Sequence, residues 1–237
     1  MYSKIEIEMI FTHTGRLGDF FTMLPIVSWW HKKNPNEEIH IVLSNNIDYV
    51  ISAIELCKYV PFINSVTTCK HVTENSEMGG QPYIFDPNQY ESIVKGDYIN
   101  IGFRSRPDKF VTQFFAEEHN LGFDENFIID IPINNDIDFS NKIVYSLGTV
   151  GRDSNYKINN NPEDYYELDP NVSIIKNLQI CRSAKKVYTA PHGFSVALNL
   201  CSIKNTVFIN HVPWVTRFFY FRNRGTSFND TDIEWNI

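Results

Sequence analysis

The sequence predicts an α/β protein with two Rossmann-like domains that contain parallel sheets, the second domain being reduced. Two observations favour this fold class. Short apolar runs of strand type alternate with segments of helical spacing, which is the order of a parallel sheet with crossover helices. The alternation also occurs twice, with an extended segment around residues 127–141 between the two series. We therefore predict domains at residues 1–135 and 136–237.

The first series contains four predicted strands and three predicted helices. The strands cover residues 5–12, 38–44, 65–70 and 97–103, and the helices cover residues 19–33, 46–57 and 109–121. Pro25 lies inside the first helix and is expected to kink it or to end its first turn. Gly122 is expected to stop the third helix, and the polar segment 73–90 is expected to form a loop or flap.

The second series is shorter and less regular. Predicted strands cover residues 142–147, 186–189 and 205–210, and predicted helices cover residues 173–184 and 194–201. Residues 149–172 are rich in Asn, Asp, Pro and Tyr, so we expect an irregular segment there. The tail from His211 is aromatic and basic as far as Arg224 and then becomes polar.

Composition and charge exclude several classes of protein. The chain has 237 residues, 43% hydrophobic and 14% aromatic, which disfavours disorder. The net charge of −7 disfavours non-specific nucleic-acid binding, which needs a basic surface. Glu6 and Glu8 interrupt the apolar residues near the start of the sequence, which disfavours a signal peptide. No apolar run approaches the ~18 residues of a membrane span. We therefore expect a cytoplasmic protein.

The four cysteines show no metal-binding or redox pattern. No C-x-x-C pair and no Cys/His cluster with zinc-ligand spacing occurs, so the cysteines predict no metal site. No cofactor is expected either. We expect four buried or reduced thiols. They are Cys57, Cys69, Cys181 and Cys201.

The first candidate site is the loop Thr14-Gly15-Arg16-Leu17-Gly18-Asp19 between the first strand and the first helix. Ligands of open α/β sheets bind at the carboxyl ends of strands, and the two glycines allow close backbone approach. Asp19 at a helix start is a candidate general base for an alcohol, or it simply caps the helix. The G-x-x-G spacing is not that of a dinucleotide fingerprint, which disfavours a dehydrogenase.

Two basic side chains follow the fourth predicted strand. Arg104 and Arg106 should emerge at the same edge of the sheet as Asp19. Guanidinium groups suit the carboxylate or phosphate groups of an acceptor. The alternative is that both are ordinary solvated loop residues.

A candidate phosphate site lies between a strand and a helix of the second series, at His192, Gly193, Phe194 and Ser195. Free backbone N–H groups at a helix start, a hydroxyl and a charged imidazole would all favour an anion. The alternative is a strand-to-helix turn with a surface histidine. Three residues of the loop after the first predicted strand of the second series could reach a diphosphate as well, namely Thr149, Arg152 and Lys157.

The N-terminal half resembles the heptosyltransferases of glycosyltransferase family 9. The resemblance rests on Arg16-Leu17-Gly18-Asp19, then Leu24-Pro25, a helix, Asn34-Pro35 and the strand at 38–42, with a looser match at 97–105 and 181–189. It implies the two-domain GT-B fold and inverting, metal-independent sugar transfer from a nucleotide-diphosphate sugar to a hydroxyl acceptor such as a glycan or lipopolysaccharide.

The resemblance also implies a division of roles between the domains. The first domain would hold the acceptor through Gly15, Arg16, Gly18 and the arginines after the fourth strand, with Asp19 as the base. The second would hold the donor. At the second helix start the family has an Asp-x-Gly and a Ser-His, whereas this chain reads Pro191-His192-Gly193. Two rivals stay open: a non-catalytic protein of the same fold that binds a nucleotide or glycan, and a Rossmann-type nucleotide enzyme.

Overall fold

The computed structural model describes residues 8–13, 15–45, 50–72, 84–85, 89–90, 93–94, 97–101, 111–146, 164–190, 192–208 and 227–228. The chain divides into two compact units, Met1–Phe127 and Ile128–Ile237. The boundary predicted from the sequence lies after residue 135 instead. Residue 129, which precedes the predicted boundary, already belongs to the second unit. Its N–H donates a hydrogen bond to the Leu200 carbonyl at 2.9 Å.

The first unit is built from the following elements. They are β1 (Glu8–His13), α1 (Leu17–Lys33), β2 (Glu38–Ser44), α2 (Val50–Cys57), β3 (Ile63–Cys69), β4 (His71–Val72), β5 (Ile84–Phe85), β6 (Tyr98–Asn100) and α3 (Val111–Glu118). The main sheet has the order β3-β2-β1-β6, and all its strand pairs are parallel. The predicted α/β class with parallel sheets is thus confirmed in this unit. Strand β5 lies in the segment 73–90 that was predicted as a loop or flap, and it forms a small antiparallel pair with β4, which precedes that segment.

Strand β1 after Glu8 and the first part of α1 lie wholly in the core of the first unit. Residues 9–13 and 17–28 are all buried, so neither element shows a polar face over these ranges. The polar residues among them must therefore find partners inside the protein. These residues are Thr12, His13, Asp19, Thr22 and Ser28.

Helix α1 does not end at Pro25, contrary to one of the two predicted outcomes. It continues from Leu17 to Lys33 with Pro25 inside. Neighbouring segments hydrogen-bond this part of the helix from outside: the Thr112 hydroxyl donates to the Thr22 carbonyl at 2.7 Å, and the Asp124 N–H donates to the Pro25 carbonyl at 2.9 Å. These contacts join the helix to segments distant in sequence, although neither replaces the bond to the Phe21 carbonyl that the proline removes.

The second unit is built around a second parallel sheet. Its elements are β7 (Ile143–Ser146), β8 (Tyr165–Glu167), α4 (Ile174–Ser183), β9 (Lys186–Thr189), α5 (Gly193–Leu200), β10 (Thr206–Phe208) and β11 (Ser227–Phe228). The sheet has the order β11-β10-β9-β7-β8, with parallel pairs throughout. Two of these strands were not predicted, β8 within the segment expected to be irregular and β11 in the tail. Both are short edge strands, which lack the apolar run that marks an interior strand.

Helix α3 is ended by Asn120 and not by Gly122, the residue predicted to stop it. Asn120 adopts a left-handed conformation (φ 54°), and the Leu121 N–H donates to the Ala116 carbonyl at 2.8 Å. This six-to-one bond, with the Asn120 N–H on the Glu117 carbonyl, is a Schellman motif. Gly122 instead lies against the Trp29 indole, where a Cβ would be 2.5 Å from Nε1.

Candidate active site

The strand order of the first sheet reverses between β1 and β6. The chain runs from β1 outward to β2 and β3, and then returns on the other side of β1 as β6. Ligands of open α/β sheets bind at such a reversal, beyond the carboxyl ends of the strands. At this edge lie His13, the last residue of β1, and Ile101, which follows β6. The loop that leads to α1 starts here too, so the first predicted site lies where the topology favours a ligand.

Asp19 lies in the first turn of α1 and is 7% exposed. Its Oδ2 accepts a hydrogen bond from the Arg16 N–H at 3.1 Å, which satisfies one of the unpaired donors at the helix start. Burial raises the pKa of this carboxyl from 3.8 to about 7, although the Arg16 amide and guanidinium act in the opposite direction. Asp19 therefore caps the helix, as one alternative predicted, and also has a pKa suited to acid–base chemistry near neutral pH.

His13 lies beside this loop and is completely buried. The rings of Phe20 and Phe115 pack around its imidazole, with centroid distances of 6.1 and 6.3 Å. Its Nδ1 lies 2.6 Å from the Ile101 carbonyl oxygen. A carbonyl oxygen only accepts, so Nδ1 carries the proton and donates. The hydrogen bond joins the ends of β1 and β6 across the strand-order reversal.

The tautomer of His13 leaves Nε2 with a lone pair. Within the described part of the chain, this buried nitrogen has no hydrogen-bond partner. Burial lowers the pKa of the imidazole from 6.5 to about 4, against the smaller opposing effects of the Ile101 and Arg16 backbone groups. The side chain is therefore neutral at pH 7 and offers an unused acceptor.

Gly15 lies between His13 and Asp19, and its lack of a side chain leaves room for both side chains. A Cβ built on Gly15 would be 2.6 Å from His13 Nε2 and 3.3 Å from the Asp19 Cβ. His13 Nε2 and the Asp19 side chain thus border the same small space. The requirement for glycine here is steric, as predicted in general terms for a close approach, but the group that approaches is His13.

His13 was not among the predicted site residues. The available signal was a histidine at the end of a buried strand, immediately before a glycine loop. Its partner Ile101 lies 88 positions further along the chain, so the hydrogen bond that defines its tautomer has no local signature.

The second sheet also reverses its strand order, between β7 and β9. A histidine again connects the two strand ends: His192, the residue before α5, lies with Nε2 3.1 Å from the Ser146 carbonyl oxygen at the end of β7. Its Nδ1 accepts a hydrogen bond from the Phe194 N–H at 3.2 Å. His192 is therefore the side-chain cap of α5, with its proton on Nε2.

These contacts change the role predicted for His192. The prediction placed a charged imidazole against a phosphate, but both ring nitrogens bond within the protein and burial lowers the pKa of the ring. The Ser195 hydroxyl is buried too and donates to the His192 carbonyl at 2.6 Å. Phosphate binding by Gly193 and Phe194 stays a prediction, although the Phe194 N–H already has the imidazole as its acceptor.

Several predicted site residues lie outside the described residues. They are Thr14, Arg104, Arg106, Thr149, Arg152, Lys157 and Pro191. Gly15, Arg16, Gly18 and Asp19 are brought together at the start of α1, and Arg16 is exposed there.

One group of possible metal ligands occurs in the part of the chain that the structure describes. Glu8, Glu38 and His40 place ligand atoms within 4.8 Å of one another. Glu8 and Glu38 are the first residues of two paired parallel strands, so this group lies at the opposite end of the sheet from Asp19. All four cysteines are buried free thiols, and burial raises the pKa of Cys57 and Cys201 to about 12.

The fold and the site together define an α/β protein with two Rossmann-like units and a buried carboxyl at the strand-order reversal of the first. No described helix has the length and apolar character that a membrane crossing requires. No protein-family model matches the chain, and no curated protein matches it in sequence.

Solved structures do match. A family 9 glycosyltransferase from Veillonella parvula DSM 2008 aligns with a TM-score of 0.59 and 11% identity, over 97% of this chain and 87% of that chain. The E. coli heptosyltransferase WaaC with ADP aligns with a TM-score of 0.53 and 9% identity, over 94% of this chain and 92% of that chain.

A third structure is the heptosyltransferase TibC, from enterotoxigenic E. coli H10407, in complex with ADP-D-beta-D-heptose. It aligns with a TM-score of 0.58 and 12% identity, over 98% of this chain but 64% of that chain. The protein thus has the fold of these glycosyltransferases, which confirms the predicted fold class and, at the level of fold, the predicted resemblance.

Proposed function

We propose that this protein is a glycosyltransferase that moves a sugar from a nucleotide-diphosphate sugar to a hydroxyl acceptor of the glycan or lipopolysaccharide type. The observation that carries the proposal is Asp19, a buried carboxyl with a pKa of about 7 at the strand-order reversal of the first sheet. The fold supports the same class of reaction, because solved structures of this fold include heptosyltransferases, one in complex with ADP-D-beta-D-heptose.

In the proposed reaction Asp19 acts as the general base. Its ionised carboxylate takes the proton of the acceptor hydroxyl, and the hydroxyl oxygen attacks the anomeric carbon from the face opposite the leaving group. The bond from the anomeric carbon to the diphosphate breaks, and its electron pair leaves with the nucleotide diphosphate. The configuration at the anomeric carbon is inverted, and no metal is assigned a step.

The proposal keeps the predicted division of roles. Arg16 is exposed at the mouth of the loop and carries a guanidinium suited to an anionic group of the acceptor. The donor diphosphate is assigned to the second unit, at the start of α5 and the loop that contains Arg152. In that assignment Gly193 contributes a backbone donor, whereas His192 serves as a neutral cap.

The test is release of nucleotide diphosphate from a panel of nucleotide sugars, each supplied with hydroxyl acceptors. We expect Asp19→Asn to reduce turnover by about 10²–10⁴-fold, the usual contribution of a general base. Turnover of the native protein should rise with pH through about 7, since the base must be ionised. Asp124→Asn, which alters a carboxyl bonded to Ser28 and Lys32, is the matched control and should leave turnover unchanged.

Three outcomes would contradict parts of the proposal. Equal turnover in Asp19→Asn would exclude Asp19 as the base. Binding of nucleotide sugars without release, whatever the acceptor, would indicate a binding protein. Loss of turnover with EDTA, or an anomeric configuration retained in the product, would overturn the metal-independent inverting mechanism.

A further inference from the structure

The ends of β1 and β2 that lie away from Asp19 bring polar side chains together on one face of the first sheet. Glu8 and Glu38 are partners in the parallel register of the two strands, so their side chains lie on the same face. His40 follows Glu38 by two residues and lies on that face as well. Ser65 of β3 is the register partner of His40. Two carboxylates, an imidazole and a hydroxyl therefore meet across three strands.

Glu8 and Glu38 are an unfavourable pair, because like charges at paired positions of neighbouring strands repel each other. Glu8 is exposed, and the Glu38 side chain is 42% exposed. Within the described ranges, neither a lysine nor an arginine forms an ion pair with these carboxylates. His40 Nε2 lies 3.6 Å from Glu38 Oε2, which is beyond hydrogen-bond distance. The side chains that the structure describes thus leave the repulsion of the two carboxylates largely unrelieved.

His40 is held in its orientation by Ser65. Its Nδ1 lies 2.7 Å from the Ser65 Oγ, and with the proton on Nδ1 the imidazole donates to that hydroxyl. Its Nε2 then carries a lone pair that faces the Glu38 carboxylate, a group that only accepts. This Nε2 atom is buried and has no hydrogen-bond partner in the described part of the chain. A histidine with one nitrogen fixed by a hydrogen bond and the other turned towards carboxylates is arranged like a metal ligand.

We propose that Glu8, Glu38 and His40 bind a divalent transition-metal ion of the Zn²⁺ type. One ligand atom from each residue lies within 4.8 Å of the other two. Ligand atoms around a tetrahedral zinc ion are about 3.4 Å apart, so the 3.6 Å between His40 and Glu38 needs little change, and the exposed Glu8 side chain can rotate inward. Three protein ligands of the nitrogen and carboxylate-oxygen type, with water as the fourth, are a known zinc arrangement. The imidazole favours Zn²⁺ over Mg²⁺ or Ca²⁺, which prefer oxygen ligands throughout.

The ion would link the starts of β1 and β2 and relieve the repulsion between their carboxylates. Glu8 is the first residue of β1, and His13 is the last. At a rise of about 3.3 Å per residue, the two lie about 17 Å apart, at opposite ends of the strand. The proposed ion therefore contributes to stability and takes no part in the reaction at Asp19. The inference is independent of the proposed function.

The first test measures binding to the full-length protein. Metal is removed with EDTA, the chelator is dialysed away, and the protein is titrated with ZnCl₂ by calorimetry near neutral pH. We expect saturable binding of a single equivalent that excess Ca²⁺ does not prevent. X-ray absorption of the Zn²⁺-bound protein should show nitrogen and oxygen neighbours at about 2.0–2.2 Å. A sulfur neighbour at about 2.3 Å would place the ion on a cysteine and would overturn the assignment, as would competition by Ca²⁺.

The second test removes the ligands one at a time. Glu38→Gln and His40→Gln should each weaken Zn²⁺ binding by more than about 100-fold, and Ser65→Ala, which frees the imidazole, by about 10–100-fold. The matched control is His31→Gln, which alters a histidine stacked on Phe62 in the last turn of α1 and should leave the affinity unchanged. Affinities of all three variants equal to that of the native protein would overturn the site.

The third measurement is urea unfolding in the presence of Zn²⁺ or of EDTA. Saturating Zn²⁺ should raise the midpoint of the native protein, because the ion binds the folded state. Glu8→Gln should raise the midpoint in EDTA, where it removes the repulsion with Glu38, but should abolish the increase caused by Zn²⁺. A native midpoint that Zn²⁺ leaves unchanged would overturn the inference. Turnover should be the same in Zn²⁺ and in EDTA under conditions in which the protein is folded, so either proposal can fail without the other.

Discussion

Substitution of Asp19 by Asn should stabilise the protein, and by more at high pH than at low pH. The carboxyl is 7% exposed, and burial raises its pKa from 3.8 to about 7. Between these two values the folded state holds a proton that the unfolded state has released. The stability contributed by the neutral carboxyl is thus fully present below pH 3.8 and is lost as pH rises through about 7.

The magnitude follows from the size of the pKa difference. Each pH unit in this window costs the native protein about 1.4 kcal/mol, so the total loss by about pH 8 is about 4 kcal/mol. Asn does not titrate, has almost the same volume, and keeps an oxygen for the Arg16 N–H. The difference in unfolding free energy between variant and native protein should therefore grow by about 3–4 kcal/mol between about pH 4 and about pH 8.

The assay is urea unfolding at several pH values, followed by tryptophan fluorescence, to which Trp29 and Trp30 on α1 contribute. His13 titrates in the opposite sense, since its pKa is lowered to about 4, and because it lies beside Asp19 the same comparison is repeated in a His13→Asn background. A difference that is constant across pH, or a variant that loses stability relative to the native protein as pH rises, would refute the burial argument.

Asp124→Asn is a control whose effect on the unfolding free energy has the opposite sign. Burial alone would raise the pKa of Asp124, but hydrogen bonds from Lys32, Ser28 and the Asn126 amide outweigh it and hold the pKa below 3.8. The stability from this ionised carboxylate is present above pH 3.8 and is lost as pH falls below that value. Asp124→Asn should therefore be destabilising throughout the range in which Asp19→Asn is stabilising.

Two further substitutions test contacts that shape the site and a helix end. Gly15→Ala places a Cβ 2.6 Å from His13 Nε2, and overpacking of this kind costs about 1–3 kcal/mol in urea unfolding. The cost should shrink in a His13→Ser background, and an equal cost in both backgrounds would exclude His13 as the obstacle. Ser202 ends α5 with φ 53°, so Ser202→Gly should raise the unfolding free energy by about 0.5–1 kcal/mol. Ser202→Ala is the control and should give no gain, because alanine meets the same backbone strain.

Interior elements of both sheets could be predicted because their signal is local. The strand at 38–44 and the strand at 186–189 have the bounds that their apolar runs indicated. Edge strands were harder, since β8 has two exposed residues out of three and is held by backbone pairing with β7. Backbone hydrogen bonds form with any side-chain type, so the residue pattern gives little indication of which edge segments pair.

The end of α3 also could not be predicted from local sequence rules. Gly122 was the expected stop because glycine adopts left-handed conformations most readily. The structure uses Asn120 for that conformation, and the Trp29 side chain occupies the space beside Gly122. The glycine is needed for a contact with α1, nearly a hundred positions earlier, which no local rule indicates.

One part of the candidate site could be predicted from local sequence signals, and another part depended on tertiary contacts. The sequence by itself determined that a glycine loop with Asp19 at a helix start follows a buried strand, since strand and helix periodicity and the position of an acidic residue are local properties. Only the tertiary structure decided that Asp19 is buried with a pKa of about 7 and that His13 lies beside it with an unused acceptor. The physical reason is that desolvation and the His13 tautomer depend on groups brought in from β6 and α3, such as Ile101 and Phe115.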